Sequence, residues 1–179
     1  SKKGIIPELA IITVGKDGKV SLFKKELEEE LKKKDFVRDE TRVRILGEWD
    51  EIIKDKKLKG LVDKLEHESA GFSKNNFTFL IGYDGRREMA EAIKKLQISK
   101  FKSQIDYDVV KSALWTGELP PVDFVIRTGG EPHWSAGFMM WLTANSQFYF
   151  TEKCWPAFGE KELKVALRDY ARRGRRFGK

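Results

Sequence analysis

The 179 residues predict an α/β fold, an open and mainly parallel central sheet flanked by helices. Short runs rich in β-branched and aromatic residues alternate with longer stretches of helical apolar spacing, and the loops after three of the runs contain glycine. A chain of this length with 40% hydrophobic residues can bury one respectable core, so a single domain over residues 1–179 is expected.

The predicted strands are 9–14, 42–46, 77–83, 122–127 and 148–151. Between the first two, Val20, Phe23, Leu27 and Leu31 recur at helical spacing and predict a helix over 20–34. Ile52, Ile53, Leu58, Leu61, Val62 and Leu65 mark a second helix; Met89, Ile93 and Leu96 a third; Leu163, Ala166, Leu167 and Tyr170 a fourth. No internal repeat or low-complexity linker interrupts them.

Composition narrows the function classes. The charged fraction is mixed in sign, 35 basic against 28 acidic residues, which describes solvated helix faces rather than a disordered tail. A net charge of +7 suits an anionic partner: nucleic acid, an acidic lipid surface or a phosphorylated small molecule. The lone Cys154 rules out an internal disulfide framework, and with only His67 and His133 no Cys/His cluster of zinc spacing exists. No apolar run approaches the roughly 20 residues that span a bilayer, and the opening residues lack a signal peptide's apolar core. A cytoplasmic location, with any membrane contact peripheral, is expected.

Ligands of open parallel sheets bind beyond the carboxyl ends of the strands. The loop Arg127-Thr128-Gly129-Gly130-Glu131-Pro132-His133-Trp134-Ser135 follows such a strand. It supplies a permanent cation, two glycines that let backbone N–H groups approach a ligand, a carboxylate and a hydroxyl. Arginine can grip phosphate oxygens in a bidentate fork while glutamate holds a magnesium ion on the same oxygens. An isolated string of this kind reads more readily as a solvated turn in which Arg127 pairs with Glu131.

The sequence that follows decides between them. Phe138-Met139-Met140-Trp141, Asn145-Ser146-Gln147-Phe148-Tyr149-Phe150, Trp155-Pro156-Ala157-Phe158 and Arg175-Arg176-Phe177-Gly178 come in fixed order. The order resembles the signature of the cis-prenyltransferases, of the undecaprenyl diphosphate synthase kind: RTSGE, RLSNF, a Trp-containing helix, Glu-Phe-Tyr-Phe, WPDF and RRFG. Upstream, Asn75-Asn76, the run Tyr83-Asp84-Gly85-Arg86-Arg87-Glu88-Met89 and the run Arg42-Val43-Arg44-Ile45-Leu46-Gly47 are similar to the family's Asn, YGGRxEI and RIIGD elements. The resemblance runs from about Gly4 to Lys179 and is strongest in the last third.

It implies transfer of a prenyl group from an allylic diphosphate to isopentenyl diphosphate or another acceptor, with Mg²⁺ as cofactor. Arg127 and Ser135 match positions that hold the diphosphate of isopentenyl diphosphate, and Glu131 matches the glutamate near the metal. These three are the implied catalytic residues. Gly129, Gly130, His133 and Arg86 are the implied substrate-binding residues, joined by Arg176 and Gly178, which match an RxG element that reaches the partner subunit's site in some members. A homodimer is therefore implied, as is an apolar tunnel between sheet and helices.

The departures are specific. His133 stands where the family has a second diphosphate-binding arginine, and Gln147 where it has a metal-associated glutamate. One extra residue lies between Ser135 and Phe138. No MDGNxRWA loop is present; Gly4 to Gly18 resembles the next strand, and Asp17-Gly18 reads as a turn. The front of the domain is thus expected to lie outside these residues, and the 179-residue chain alone is expected not to catalyse transfer. Two rival readings remain: a non-catalytic subunit, on the evidence of His133 and Gln147, and a basic nucleic-acid-binding domain, on the evidence of the run Arg172-Arg173-Gly174-Arg175-Arg176. Nucleic acid is the less favoured partner, because the five tryptophans are not interleaved with basic residues on one strand.

Overall fold

The structure is a computed structural model that describes residues 8–13, 28–29, 32–98 and 104–174. The chain divides into two compact units, Ser1–Glu118 and Leu119–Lys179. Most of the predicted 20–34 helix, the Asp17 turn, Arg176 and Gly178 lie outside the described residues.

In the first unit the elements run β1 (Glu8–Thr13), α1 (Asp35–Arg38), β2 (Thr41–Leu46), α2 (Trp49–Ile52), α3 (Lys56–Ser69), β3 (Asn75–Ile81), α4 (Gly85–Ile98) and α5 (Tyr107–Ala113). The three strands are parallel in the order β1-β3-β2, with Val43 opposite Phe77 and Ile45 opposite Phe79. Because side chains alternate along a strand, Val43, Ile45, Phe77, Phe79 and Ile81 share one face. Against that face α3 brings Leu58, Val62 and Leu65, spaced to lie on one side of a helix, and Phe36 and Ile53 complete the cluster. Asp55 caps α3 by accepting from Lys57 N at 2.8 Å and Leu58 N at 3.3 Å.

The same helix finishes β2, which lies at the edge of the sheet. Its Val43 N donates to Ser69 Oγ at 3.0 Å and its Ile45 N to Glu66 Oε1 at 2.8 Å, so two amides that have no strand partner are satisfied by side chains of α3. Burial raises the Glu66 carboxyl above the usual range, and the bond from Ile45 N opposes that rise. The turn leaving β2 needs glycine: Gly47 sits at φ +98°, and a Cβ there would stand 2.4 Å from the Ile81 carbonyl oxygen.

The predicted third helix begins with a cap and a buried carboxylate. Asp84 Oδ1 accepts from Arg86 N at 2.9 Å and Arg87 N at 3.2 Å, opening α4. Glu88, 1% exposed, accepts from the Tyr83 hydroxyl and, at 2.8 Å each, from Thr116 N and Thr116 Oγ1. Those bonds tie the end of β3 and the start of α4 to the segment after α5.

The second unit holds β4 (Phe124–Arg127), β5 (Gln147–Phe150), a 3-10 turn at Trp155–Ala157 and α6 (Glu160–Arg172). Its strands are parallel, with Phe124 opposite Gln147 and Arg127 opposite Phe150. Phe124 packs its ring 4.8 Å from Tyr170 of α6 and 6.4 Å from Tyr149 of β5. The predicted apolar face of α6 is turned: Ala166 is fully buried, whereas Leu163 and Leu167 are 39% and 48% exposed. Segment 136–144 forms turns rather than a Trp-containing helix, because Ala136, Gly137 and Met139 all have positive φ, which a right-handed helix excludes. Trp134 and Trp155 stand 46% and 53% exposed.

Candidate functional site

β4 delivers Arg127 to its carboxyl end, and the chain then turns through Gly129 (φ +95°) and Gly130 (φ +74°). The loop is fastened to the segment after β5 by Thr151 N to Arg127 O at 3.0 Å, Gly130 N to Thr151 O at 3.0 Å and Gly129 N to Lys153 O at 2.8 Å. Both glycine amides therefore donate to backbone carbonyls. What the glycines supply here is shape: a Cβ on Gly130 would stand 2.7 Å from Glu152 Oε2, and both residues adopt the left-handed region that other residues avoid.

Above that fastened turn the side chains gather. Arg127 Nη1 donates to Ser135 Oγ at 2.7 Å, while Nη2 pairs with Glu131 Oε2. His133 Nε2 stands 4.0 Å from the same Glu131 oxygen, and His133 N donates to Glu131 O at 2.8 Å. Arg127 is 23% exposed and Glu131 62%, so the arginine side chain is mostly covered and the carboxylate faces water. Arg127 Nε is buried without a hydrogen-bond partner among the described residues. The turn pairing of Arg127 with Glu131 and the clustering expected of a phosphate site are thus one arrangement.

Lys153 links this loop to α6. Its carbonyl receives Gly129 N, and its ammonium pairs with Glu162. Glu162 also accepts from Gly159 N at 3.1 Å, and the lysine, foremost, with the helix-start amides holds its carboxyl down to about 2.

Other sequence-singled residues lie elsewhere. Gln147 opens β5 opposite Phe124, three residues back along β4 from Arg127 and so about 10 Å away; its Oε1 is buried without a partner among the described residues. Arg86 belongs to the first unit, where its side chain is 78% exposed and pairs with Asp84 at 3.2 Å. That pairing lowers the Asp84 carboxyl and raises the Arg86 guanidinium. Its neighbour Arg87 pairs with Glu48, only 16% exposed, in the turn after β2. Thr116, Glu66 and Lys153 were not singled out from sequence, and Glu88 only as part of the run Tyr83 to Met89; a polar residue amid helix charges carries no sign of the carbonyls and amides it will meet.

Among the described residues no three His, Cys, Asp or Glu side chains gather as a metal cage. Glu131 fits the commoner magnesium arrangement, one carboxylate sharing the ion with substrate phosphates: its Oε2 is engaged and its Oε1 makes no contact among the described residues.

The fold and loop define a parallel α/β protein with a cation–hydroxyl–carboxylate cluster at a strand's carboxyl end. Residues 17–178 match the family model described as "Putative undecaprenyl diphosphate synthase". The chain is 44% identical over 107 residues to isoprenyl transferase 1 of Streptomyces avermitilis, covering 55% of this chain and 41% of the relative. It is 33% identical over 150 residues to the Escherichia coli K12 ditrans,polycis-undecaprenyl-diphosphate synthase, farnesyl-diphosphate specific, covering 81% of this chain and 58% of that one. Among solved structures, lavandulyl diphosphate synthase from Lavandula x intermedia, in complex with dimethylallyl diphosphate, superposes with a TM-score of 0.82 at 25% identity over 96% of this chain and 79% of that one. The chain belongs to the cis-prenyltransferase family. It spans about half the length of the curated relatives it matches, from 41% to 56% of the first three.

Proposed function

We propose that the protein transfers the prenyl group of an allylic isoprenoid diphosphate to isopentenyl diphosphate or another acceptor. The observation that carries this reading is the meeting of Arg127, Glu131 and Ser135 in one loop at the end of β4. In the reaction the allylic carbon–oxygen bond breaks and its electron pair departs with diphosphate; a carbon–carbon bond forms to the acceptor alkene, which then loses a proton. Charge grows on diphosphate oxygens, so fixed cations and hydroxyl donors stabilise the transition state more than the ground state. Arg127 grips phosphate oxygens with its fork, Ser135 orients them, and His133 adds an imidazole where a permanent cation is usual. Gly129 and Gly130 hold the loop open to the ligand. Glu131 would hold Mg²⁺, which when bound supplies positive charge to the diphosphate oxygens. Arg86, in the first unit, is a further substrate-binding cation that the family resemblance offers, and Arg176 and Gly178 serve a partner subunit's site in a homodimer.

Both units form one catalytic domain on this reading, supported by a family match that runs across their boundary. An apolar tunnel for the hydrocarbon belongs to the same proposal. No helix among the described residues is long and apolar enough to cross a membrane; the proposed setting is the cytoplasm, with peripheral membrane contact where lipid substrates lie.

A second reading, a non-catalytic subunit, draws on Gln147, a neutral amide at the position of a family carboxylate. The deciding assay combines the full-length gene product with farnesyl diphosphate, isopentenyl diphosphate and magnesium and follows polyprenyl product. Turnover abolished by Arg127→Ala supports catalysis at this loop. Turnover indifferent to that change removes the site, and turnover only when a homologous chain is added favours the subunit reading.

A further inference from the structure

Of the arginines in the basic run 172–176, the structure describes Arg172 and Arg173, and it sends the two apart. Arg173 is spent within the fold: Nη1 donates to Phe148 O at 2.7 Å and Nη2 pairs with Asp169. Arg172 is turned elsewhere, to a pocket of about 340 Å³ between β5 and α6 lined by Tyr149, Val165, Arg168, Asp169 and Arg172. That volume falls within the roughly 300–1,000 Å³ of small-molecule sites. Arg168 and Arg172 stand four residues apart on α6 and so share a face, their Cβ atoms about 5–6 Å apart. Neither makes an ion pair or hydrogen bond with the described residues. The carboxylate in the wall, Asp169, is already matched by Arg173.

We propose that this pocket is a second anion site, which takes the phosphate group of an organic phosphate. Arg168 and Arg172 form a double fork that suits tetrahedral phosphate oxygens, and the Tyr149 hydroxyl adds a neutral donor. Val165, 47% exposed, and the Tyr149 ring form an apolar wall for the organic part. The same chemistry is offered by a free diphosphate and by a phospholipid headgroup. Tyr149 stands opposite Ile126, one residue before Arg127, so because side chains alternate along a strand the pocket and Arg127 lie on opposite faces of β4–β5 and share no lining residue.

The test uses the Arg127→Ala protein, so that the loop cation contributes nothing. Binding of inorganic pyrophosphate is measured by titration calorimetry, and co-flotation is measured with phosphatidylglycerol vesicles against phosphatidylcholine vesicles. Adding Arg168→Gln and Arg172→Gln together should weaken binding at least tenfold, and Tyr149→Phe, which changes no charge, about threefold. A loss in the pyrophosphate arm identifies a soluble ligand; a loss confined to phosphatidylglycerol identifies a headgroup. Binding undiminished by the double change, or absent from both arms before it is made, overturns the proposal. Circular dichroism of each variant confirms that these surface changes leave the fold intact.

Discussion

Arg127 donates from Nη1 to Ser135 Oγ across 2.7 Å, so a residue fixed by a strand and one carried by an irregular turn are held as a pair. On the proposed function the guanidinium is thereby aimed before substrate arrives, with its second nitrogen on Glu131. Preorganisation of this kind lowers the cost of ordering a side chain when substrate binds.

Arg127→Ala should lower kcat/KM by about 10²–10³ while leaving the thermal transition nearly unchanged, because the side chain contributes polar contacts rather than core packing. Lysine at this position should recover only part of the loss, since it lacks the bidentate fork. Steady-state kinetics of both variants, with calorimetric melting, check this; unaltered kinetics would remove Arg127 from the site.

His133→Arg places a permanent cation 59% exposed to solvent and beside Glu131. Acceptor KM should fall about three- to tenfold, on the scale of one added charge-assisted hydrogen bond discounted for exposure. A rise in KM would mean that the imidazole is chosen for shape and that the acceptor is not a diphosphate.

Glu162 has a pH signature. Its folded carboxyl is held down to about 2 against an ordinary value of 4.5. The stability it contributes is therefore present above about pH 4.5 and lost as pH falls toward 2. Glu162→Gln should flatten the acid limb of a melting-temperature profile and leave pH 6–8 nearly unaffected. An acid limb identical in both proteins would show that the Lys153 contact is not maintained in solution.

Burial makes Glu88 the costliest residue of the first unit to alter. Glu88→Ala strands the Tyr83 hydroxyl and both Thr116 donors and should cost about 2–4 kcal/mol, whereas Thr116→Val, which removes one hydroxyl, should cost about 1–2. Urea denaturation measures both. Equal, small effects would mean that water satisfies the donors freely.

Much of this was readable beforehand. All five predicted strands are present to within a residue or two, because period-two alternation and flanking glycines are local signals. The loop residues Arg127, Glu131, His133 and Ser135 came together as the ordered motif suggests. Helix α5 escaped notice: with seven residues it offers too few turns for apolar spacing to stand out. The occupation of the Gly129 and Gly130 amides escaped it too, since their acceptors on Thr151 and Lys153 are more than twenty residues distant. Polar side chains such as Ser69 and Glu66 read as solvent-facing because their partners are backbone amides of another element.

Ser69 and Glu66 have a further bearing, on how the sheet could grow. A bare edge strand is an adhesive margin, open to any chain with amides and carbonyls to offer. On β2 that margin is sealed by side chains, whereas β1, paired only to β3 among the described strands, keeps its other flank. Extension of this sheet past β2 is thereby obstructed. Ser69→Ala, which unplugs the Val43 amide at a cost of about 1 kcal/mol, should reveal the difference as increased concentration-dependent association in light scattering. Association unchanged at matched stability would show that helix α3 alone shields the edge.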